Sequence, residues 1–362
     1  MKKCLLLIPR MCSGGAERVM ATIANNLCKE NQVKIVTMTD AESFYKLDDR
    51  VSVIGLGQNA NRKNKITKVF SALSGGLKSY KALKKMIKDW KPDVLLAFLG
   101  PANILAVMLK IFGVKCRVIV SERCDPTTRG RLYRWFERRF FPKVDKVICQ
   151  SNGAASFFSK KARKKIAVIP NPISADAIPL RFEGERRKTV IGVGRLDKQK
   201  NFKMLINAFS KLDERFNDFT LEIYGGGLLE NDLKEHIKSL GLEKRAYLMG
   251  VKSGVMHHVS DVALFVMSSN YEGFPNALVE AMATGLPVIS TDFSTGVARE
   301  IIKDENGIII PVGDENALVS AMQEILSNPE RWEKMSIKNR EMLETLSEAN
   351  VMRIWEETLF NK

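Results

Sequence analysis

A rhythm in the chain constrains its fold more than any other feature. Short apolar runs rich in Val, Ile and Leu recur throughout, and each is followed by a turn or a helical pattern. Runs at 4–8, 33–38, 51–54, 94–98, 117–121, 146–149 and 166–169 make one series. Runs at 189–193, 220–224, 246–249, 262–267, 287–290 and 307–310 make a second. Runs this short and continuously apolar predict strands of a parallel sheet covered on both faces. Between the series, Pro170-Asn171-Pro172 and the polar, charged stretch 179–188 break the rhythm, which predicts a linker there. The result is an α/β chain of two doubly wound domains, 1–172 and 188–345. A final helical pattern at about 346–362 is expected to pack back on the first domain. The 362 residues suffice for two such domains. A ligand is expected in a cleft between them, at the carboxyl ends of the strands.

Several classes are excluded early. No apolar run approaches the roughly 20 residues of a membrane span. The start, Met1-Lys2-Lys3 followed by Cys4-Leu5-Leu6-Leu7-Ile8-Pro9, imitates a secretion signal, but its apolar part is too short and no small-residue cleavage site follows. A cytoplasmic protein is expected. Six cysteines form no CxxC pair, and the three histidines lie far from them, so no metal site is expected and free thiols fit a reducing compartment.

Four segments carry candidate chemistry. Ser13-Gly14-Gly15-Ala16-Glu17-Arg18 follows the first strand; its glycines admit a ligand or simply make a tight turn. Gly192-Val193-Gly194-Arg195-Leu196, with Lys200 beyond, ends a strand and offers two cations. Arg grips phosphate through paired hydrogen bonds, and Lys acts as a point charge. Gly225-Gly226-Gly227 permits close contact with a base or phosphate, or again only a turn. The last runs from Tyr271-Glu272-Gly273-Phe274-Pro275-Asn276 to Glu280, with a helix predicted from about Asn276. Glu272 and Glu280 do not make a glycosidase pair. Eight residues on one helix rise about 12 Å, whereas hydrolase carboxylates sit roughly 5–9.5 Å apart. With Glu272 in a loop and Glu280 in an apolar helical run, they suit two separate hydroxyl groups.

In this order the motifs resemble family-4 retaining glycosyltransferases of the two-domain GT-B fold, in which two Rossmann-like domains face each other across a cleft. The likeness covers nearly the whole chain and is nearest to bacterial enzymes that extend lipid-linked oligosaccharides or capsular repeat units. It implies that Arg195 and Lys200 bind the donor diphosphate and that Glu272 holds sugar hydroxyls. Gly273, Phe274, Pro275 and Asn276 give backbone contacts, and Glu280 binds the ribose. Gly14, Gly15, Gly194, Gly225 and Gly226 line the donor. The catalytic set is then Glu272, Arg195 and Lys200, with no metal and no cofactor. The leaving phosphate serves as base, and anomeric configuration is retained. A UDP-sugar donor and transfer of a hexose or N-acetylhexosamine are expected. Many relatives carry a histidine after the strand that here is 117–121; this chain has Arg123 in that place, and no histidine precedes His236. Glu122 and Arg123 are therefore assigned to the acceptor or a phosphate. His257 and His258 are read as structural.

Charge is split along the chain. Residues 1–175 hold 34 Lys and Arg against 12 Asp and Glu, whereas residues 176–362 hold 23 against 29. The first half thus faces a polyanion. Two segments concentrate this charge. In 62–91, Leu77, Tyr80, Leu83, Met86 or Ile87 and Trp90 recur at helical spacing among lysines. In 129–143, Arg129, Arg131, Arg134, Arg138 and Arg139 alternate with aromatic residues. Both are expected to attach the protein to the inner face of an anionic membrane, beside a lipid-linked or other glycan acceptor. Two rivals remain at this stage: a nucleic-acid-binding protein, for which no reader module is present, and a nucleotide-sugar epimerase of the same fold, for which no carboxylate and histidine set is apparent. Nucleic acid is not expected as a partner.

Overall fold

The computed structural model describes residues 1–57 and 65–361, in backbone alone over 65–75. The chain divides into two compact units, Met1–Asn171 with Val351–Lys362, and Pro172–Asn350.

The first unit is built on a parallel sheet of seven strands. They are β1 (Lys3–Ile8), β2 (Gln32–Thr37), β3 (Ser52–Gly55), β4 (Val94–Phe98), β5 (Arg117–Ser121), β6 (Lys146–Cys149) and β7 (Ile166–Val168). Their spatial order is β3-β2-β1-β4-β5-β6-β7, with Leu6 paired to Ile35 on one side and to Leu96 on the other. Because side chains alternate along a strand, continuous apolar runs feed two cores. Leu6, Ile8, Leu96 and Phe98 meet the helix α1 (Gly15–Leu27) and Trp355. Leu5, Leu7, Leu95 and Val118 meet α2 (Lys65–Trp90) and α3 (Gly100–Ile111) on the opposite face. The terminal helix Glu348–Phe360 buries Val351, Met352, Trp355 and Leu359, with the Trp355 ring 5.7 Å from that of Phe98. Arg117 donates from Nη2 to the carbonyl of Thr358 at 3.1 Å.

The second unit holds six parallel strands: β8 (Arg187–Val193), β9 (Thr220–Tyr224), β10 (Ala246–Gly250), β11 (Val262–Met267), β12 (Val288–Thr291) and β13 (Ile308–Ile310). Their order is β10-β9-β8-β11-β12-β13. Strand order reverses between β1 and β4 in one unit and between β8 and β11 in the other, and doubly wound sheets hold ligands at such switch points.

Two expectations need correction. Most of the stretch read as a linker belongs to the second unit. Arg186 is buried there and donates to the carbonyls of Ser260, Val262 and Gly285 and to the hydroxyl of Ser336, at 2.9 to 3.1 Å. The basic segment 62–91 also differs, in so far as it is described; residues 62–64 and the side chains of 65–75 lie outside the described part. In α2, Leu83 and Ile87 are buried, and Tyr80, Met86 and Trp90 pack against the same core. Apart from Leu77, which is exposed, the described part of its apolar stripe is therefore spent inside the unit, and Lys78, Lys81, Lys84, Lys85 and Lys88 form a solvated outer face.

Candidate active site

At the switch point of the second unit, two loops are stitched together. One follows β8 and runs from Gly194 to Asn201; the other follows β11 and runs from Ser268 to Pro275. The amide of Asn270 donates to the carbonyl of Gln199 at 2.8 Å, and its side chain to that of Lys198 at 2.8 Å. Ser268 donates to the carbonyl of Lys200 at 2.9 Å. These bonds bring Lys200 and Glu272 together. The ammonium donates to Oε1 of Glu272 at 2.6 Å, with the side chains 14% and 7% exposed. Glu272 also accepts from Ser269 at 2.8 Å and from Gln199 at 3.1 Å, and Thr295 donates to its carbonyl at 3.0 Å. An ammonium carries three protons, so the pair with Glu272 leaves Lys200 with further donors for a phosphate.

Arg195 lies further out, 71% exposed, and donates to Gln199 at 3.0 Å while pairing with Asp197 at 3.2 Å. Its guanidinium keeps its charge at the surface of the site. The helix Asn276–Thr284 begins beside this loop with Pro275 at its cap position and no side-chain cap hydrogen bond. Uncapped amides at a helix start attract anions. Glu280 lies in the second turn of this helix, half-buried.

The glycines have distinct tasks. At Gly194, φ is +157°, and a Cβ would stand 2.7 Å from Cε of Lys200, so its absence lets the lysine stem fold back toward Glu272. Gly225, at φ +147°, lies against the carbonyl of Gly194, where a Cβ has no room. The Gly225–Gly227 loop thus supports the loop after β8 by backbone packing, sealed by the amide of Leu196 donating to the carbonyl of Gly226 at 3.0 Å. Gly226 faces Val251 instead.

The residues proposed in the first unit are arranged differently. Gly14 caps α1 and Gly15 opens it, but the buried carboxylate of Glu17 folds over this helix start and accepts from Cys12 at 3.1 Å. A carboxylate already answers the helix dipole there. Glu122 and Arg123, read as acceptor contacts, are both buried. Glu122 accepts from Asn103 and Tyr133 and pairs with Arg129 at 3.0 Å. Arg129 also pairs with Glu137. Arg123 donates to Asn171 and lies 4.8 Å over the ring of Phe98 and 5.8 Å over that of Trp355. Burial lowers its pKa to about 9, and among the described residues its Nε and Nη1 have no hydrogen-bond partner. Neither side chain presents its charge to a ligand in this conformation. His257 bonds the carbonyl of Asp176 at 3.1 Å, away from both loops. The sequence reading missed Gln199, Ser269 and Thr295. Their signal was faint: small or amide side chains in the loops that follow β8, β11 and β12.

Two family descriptions match the chain, Glycosyltransferase Family 4 over residues 13–177 and Glycosyl transferases group 1 over residues 180–342. The chain is 30% identical over 343 residues to a Campylobacter jejuni protein, covering 94% of this chain and 92% of that one. That relative is named as an α-1,4-N-acetyl-D-galactosaminyltransferase acting on an undecaprenol-diphosphate-linked glycan. This chain belongs to the GT-B glycosyltransferases. A second Campylobacter jejuni protein, a 4-α-N-acetylgalactosaminyltransferase acting on a diphospho-undecaprenol sugar, is 28% identical over 91% of each chain. Among solved structures, HepE of Anabaena in complex with UDP superposes with a TM-score of 0.79 at 17% identity over 99% of both chains. The lipopolysaccharide outer core galactosyltransferase WaaB superposes with 0.78 at 18% over 99% of both. In this glycosyltransferase, the stitched loops of the second unit lie within the group 1 match, and α1, Glu122 and Arg123 lie within the family 4 match.

Proposed function

We propose that this glycosyltransferase moves a hexose or N-acetylhexosamine from a UDP-sugar to a glycan carried on a lipid diphosphate, with retention and without a metal, at the inner face of the membrane. The observation that carries the reading is the cluster of Arg195, Lys200 and Glu272 beside an uncapped helix start at a switch point. As the bond from the sugar C1 to the diphosphate breaks, negative charge grows on the β-phosphate. Arg195, Lys200 and the helix amides oppose that charge, a task a metal performs in other transferases. Glu272, already fixed by Lys200, Ser269 and Gln199, accepts hydrogen bonds from sugar hydroxyls, and Glu280 accepts from the ribose. The acceptor oxygen bonds to C1 on the face the phosphate leaves, and its proton passes to the departing phosphate oxygen. Support for the acceptor comes from the two Campylobacter jejuni relatives, both named for undecaprenol-linked substrates. Support for the donor comes from solved HepE complexes with UDP and UDP-glucose.

A panel of UDP- and GDP-sugars, each offered with a polyprenyl-diphosphate-sugar in the presence of EDTA, tests the reading. Transfer from one UDP-sugar is expected. Transfer from GDP-sugars alone, dependence on added metal, or conversion of the nucleotide sugar with no acceptor would each contradict it.

A further inference from the structure

Helix α4 (Arg131–Phe140) packs Phe136 and Phe140 on the core, yet it also buries a carboxylate and leaves large apolar groups outside. Of its ten residues the one fully buried is a carboxylate, Glu137. Tyr133, Phe136 and Phe140 are half-buried beside it, while Leu132 is 85% and Trp135 62% exposed. Arg131, Arg134 and Arg138 share that outer side and make no ion pair among the described residues. The burial of Glu137 has a cause. Arg129, in the loop before the helix, sits between Glu122 at the end of β5 and Glu137 on the helix. The shared guanidinium holds Glu137 inward, beside Phe136 and Phe140. The large apolar tips are left outside.

Next to this face is a cavity of about 390 Å³, lined by Arg131, Arg134, Arg138, Trp135 and Phe157. Phe157 is itself 46% exposed. Lys160 and Lys161 follow in the chain and are exposed too. Arginines around an apolar rim suit a surface that is anionic on top and apolar below. Tryptophan settles at such interfaces, and arginine spans from the apolar layer to phosphate. We infer that the outer face of α4, with Phe157, docks on the anionic headgroups of a membrane, with Leu132, Trp135 and Phe157 entering the interface. This deepens the proposed function, since it rests on that reading for the reason a lipid surface is near. Nucleic acid fits less well: bases stack on aromatic faces, whereas Leu132 is aliphatic and is the most exposed apolar group of this surface. The described part of α2 is basic as well, but Leu77 is the one large apolar residue it exposes and the others pack on the core, so α4, with Leu132 and Trp135 beside Phe157, carries the docking.

Flotation of the full chain with phosphatidylcholine vesicles, with and without phosphatidylglycerol, tests this. Wild type should float only with the acidic vesicles. R131E/R134E/R138E should weaken that binding on the order of a hundredfold, since each basic residue near an anionic surface contributes about fivefold. L132S/W135S should weaken it less, and K78E/K81E/K84E by under about threefold. Circular dichroism and transfer to a detergent-dispersed acceptor check that the α4 variants are folded. Acidic vesicles that carry the triple arginine variant as well as wild type would overturn the assignment, as would equal flotation with neutral vesicles. A salt-sensitive shift of RNA or DNA that this variant loses would hand the face to nucleic acid. Wild type that transfers to the dispersed acceptor yet does not float sinks the docking face alone. Wild type that floats but uses no lipid-diphosphate acceptor sinks the proposed function alone.

Discussion

Both sheets end in buried charge, and the two clusters are wired for opposite purposes. In the second unit a single ammonium meets a single carboxylate, neutral donors complete the carboxylate, and a second cation, Arg195, stays outside. Glycines clear the space around them. In the first unit one guanidinium is locked between two carboxylates, and Arg123 is sunk between aromatic rings. A ligand site keeps spare positive charge within reach of solvent. A structural clamp uses its charge up.

The sharpest way to break this contrast is to remove the second unit's cluster. Lys200→Ala, Glu272→Gln and Glu280→Ala should each cut transfer by about a hundredfold to a thousandfold, as loss of a transition-state contact does. Near-normal turnover in Lys200→Ala and Glu280→Ala, with the melting curve unchanged, would refute the site. Next in size is the clamp. Arg129→Met leaves Glu122 and Glu137 buried without their cation and should destabilise the first unit by about 3–5 kcal/mol, measured by urea unfolding, with UDP binding by the second unit retained. Trp355→Ala should cost a similar or smaller amount, about 3–5 kcal/mol, and should also loosen Arg123.

The clamp gives a pH signature as well. Burial, helped by the charge of Glu122, pushes Glu137 up to about 8 against the pull of Arg129. A carboxyl that holds its proton more tightly when folded stabilises the fold below the unfolded pKa. That contribution is lost as pH rises through the folded pKa. Stability of the first unit should therefore decline from about pH 5 to pH 8, and Glu137→Gln should flatten the decline. A flat wild-type profile would show that Arg129 keeps Glu137 ionised. The smallest effect should come from Gln199→Ala. It removes an uncharged side chain that bonds Arg195 and Glu272 and should raise the donor KM several-fold with little change in kcat.

Much of the fold was legible because its strands are continuous apolar runs with polar ends. Val94–Phe98, Arg117–Ser121, Thr220–Tyr224 and Val262–Met267 have the bounds read from the sequence. What was not legible depends on partners distant in the chain. Arg186 reads as part of a charged linker until its four acceptors in the second unit are known. Arg123 stands at a motif position that suggests a ligand, yet Trp355 and Phe98 enclose it. The segments of α2 and α4 read alike, both basic with apolar residues at helical spacing. Both turn apolar residues to the core, but the spacing does not show that α4 also buries Glu137, which Arg129 holds there. In the candidate site the residue types were legible, but the pairing of Lys200 with Glu272 was not, because it is made by loops from two strands.

The central claim is that the second unit's open cluster holds a nucleoside diphosphate. Calorimetric titration of UDP into the full chain tests it most directly. Wild type should bind, Arg195→Ala and Lys200→Ala should each lose about tenfold or more in affinity, and R131E/R134E/R138E should bind as wild type does. Equal UDP affinity in wild type, Arg195→Ala and Lys200→Ala would contradict it.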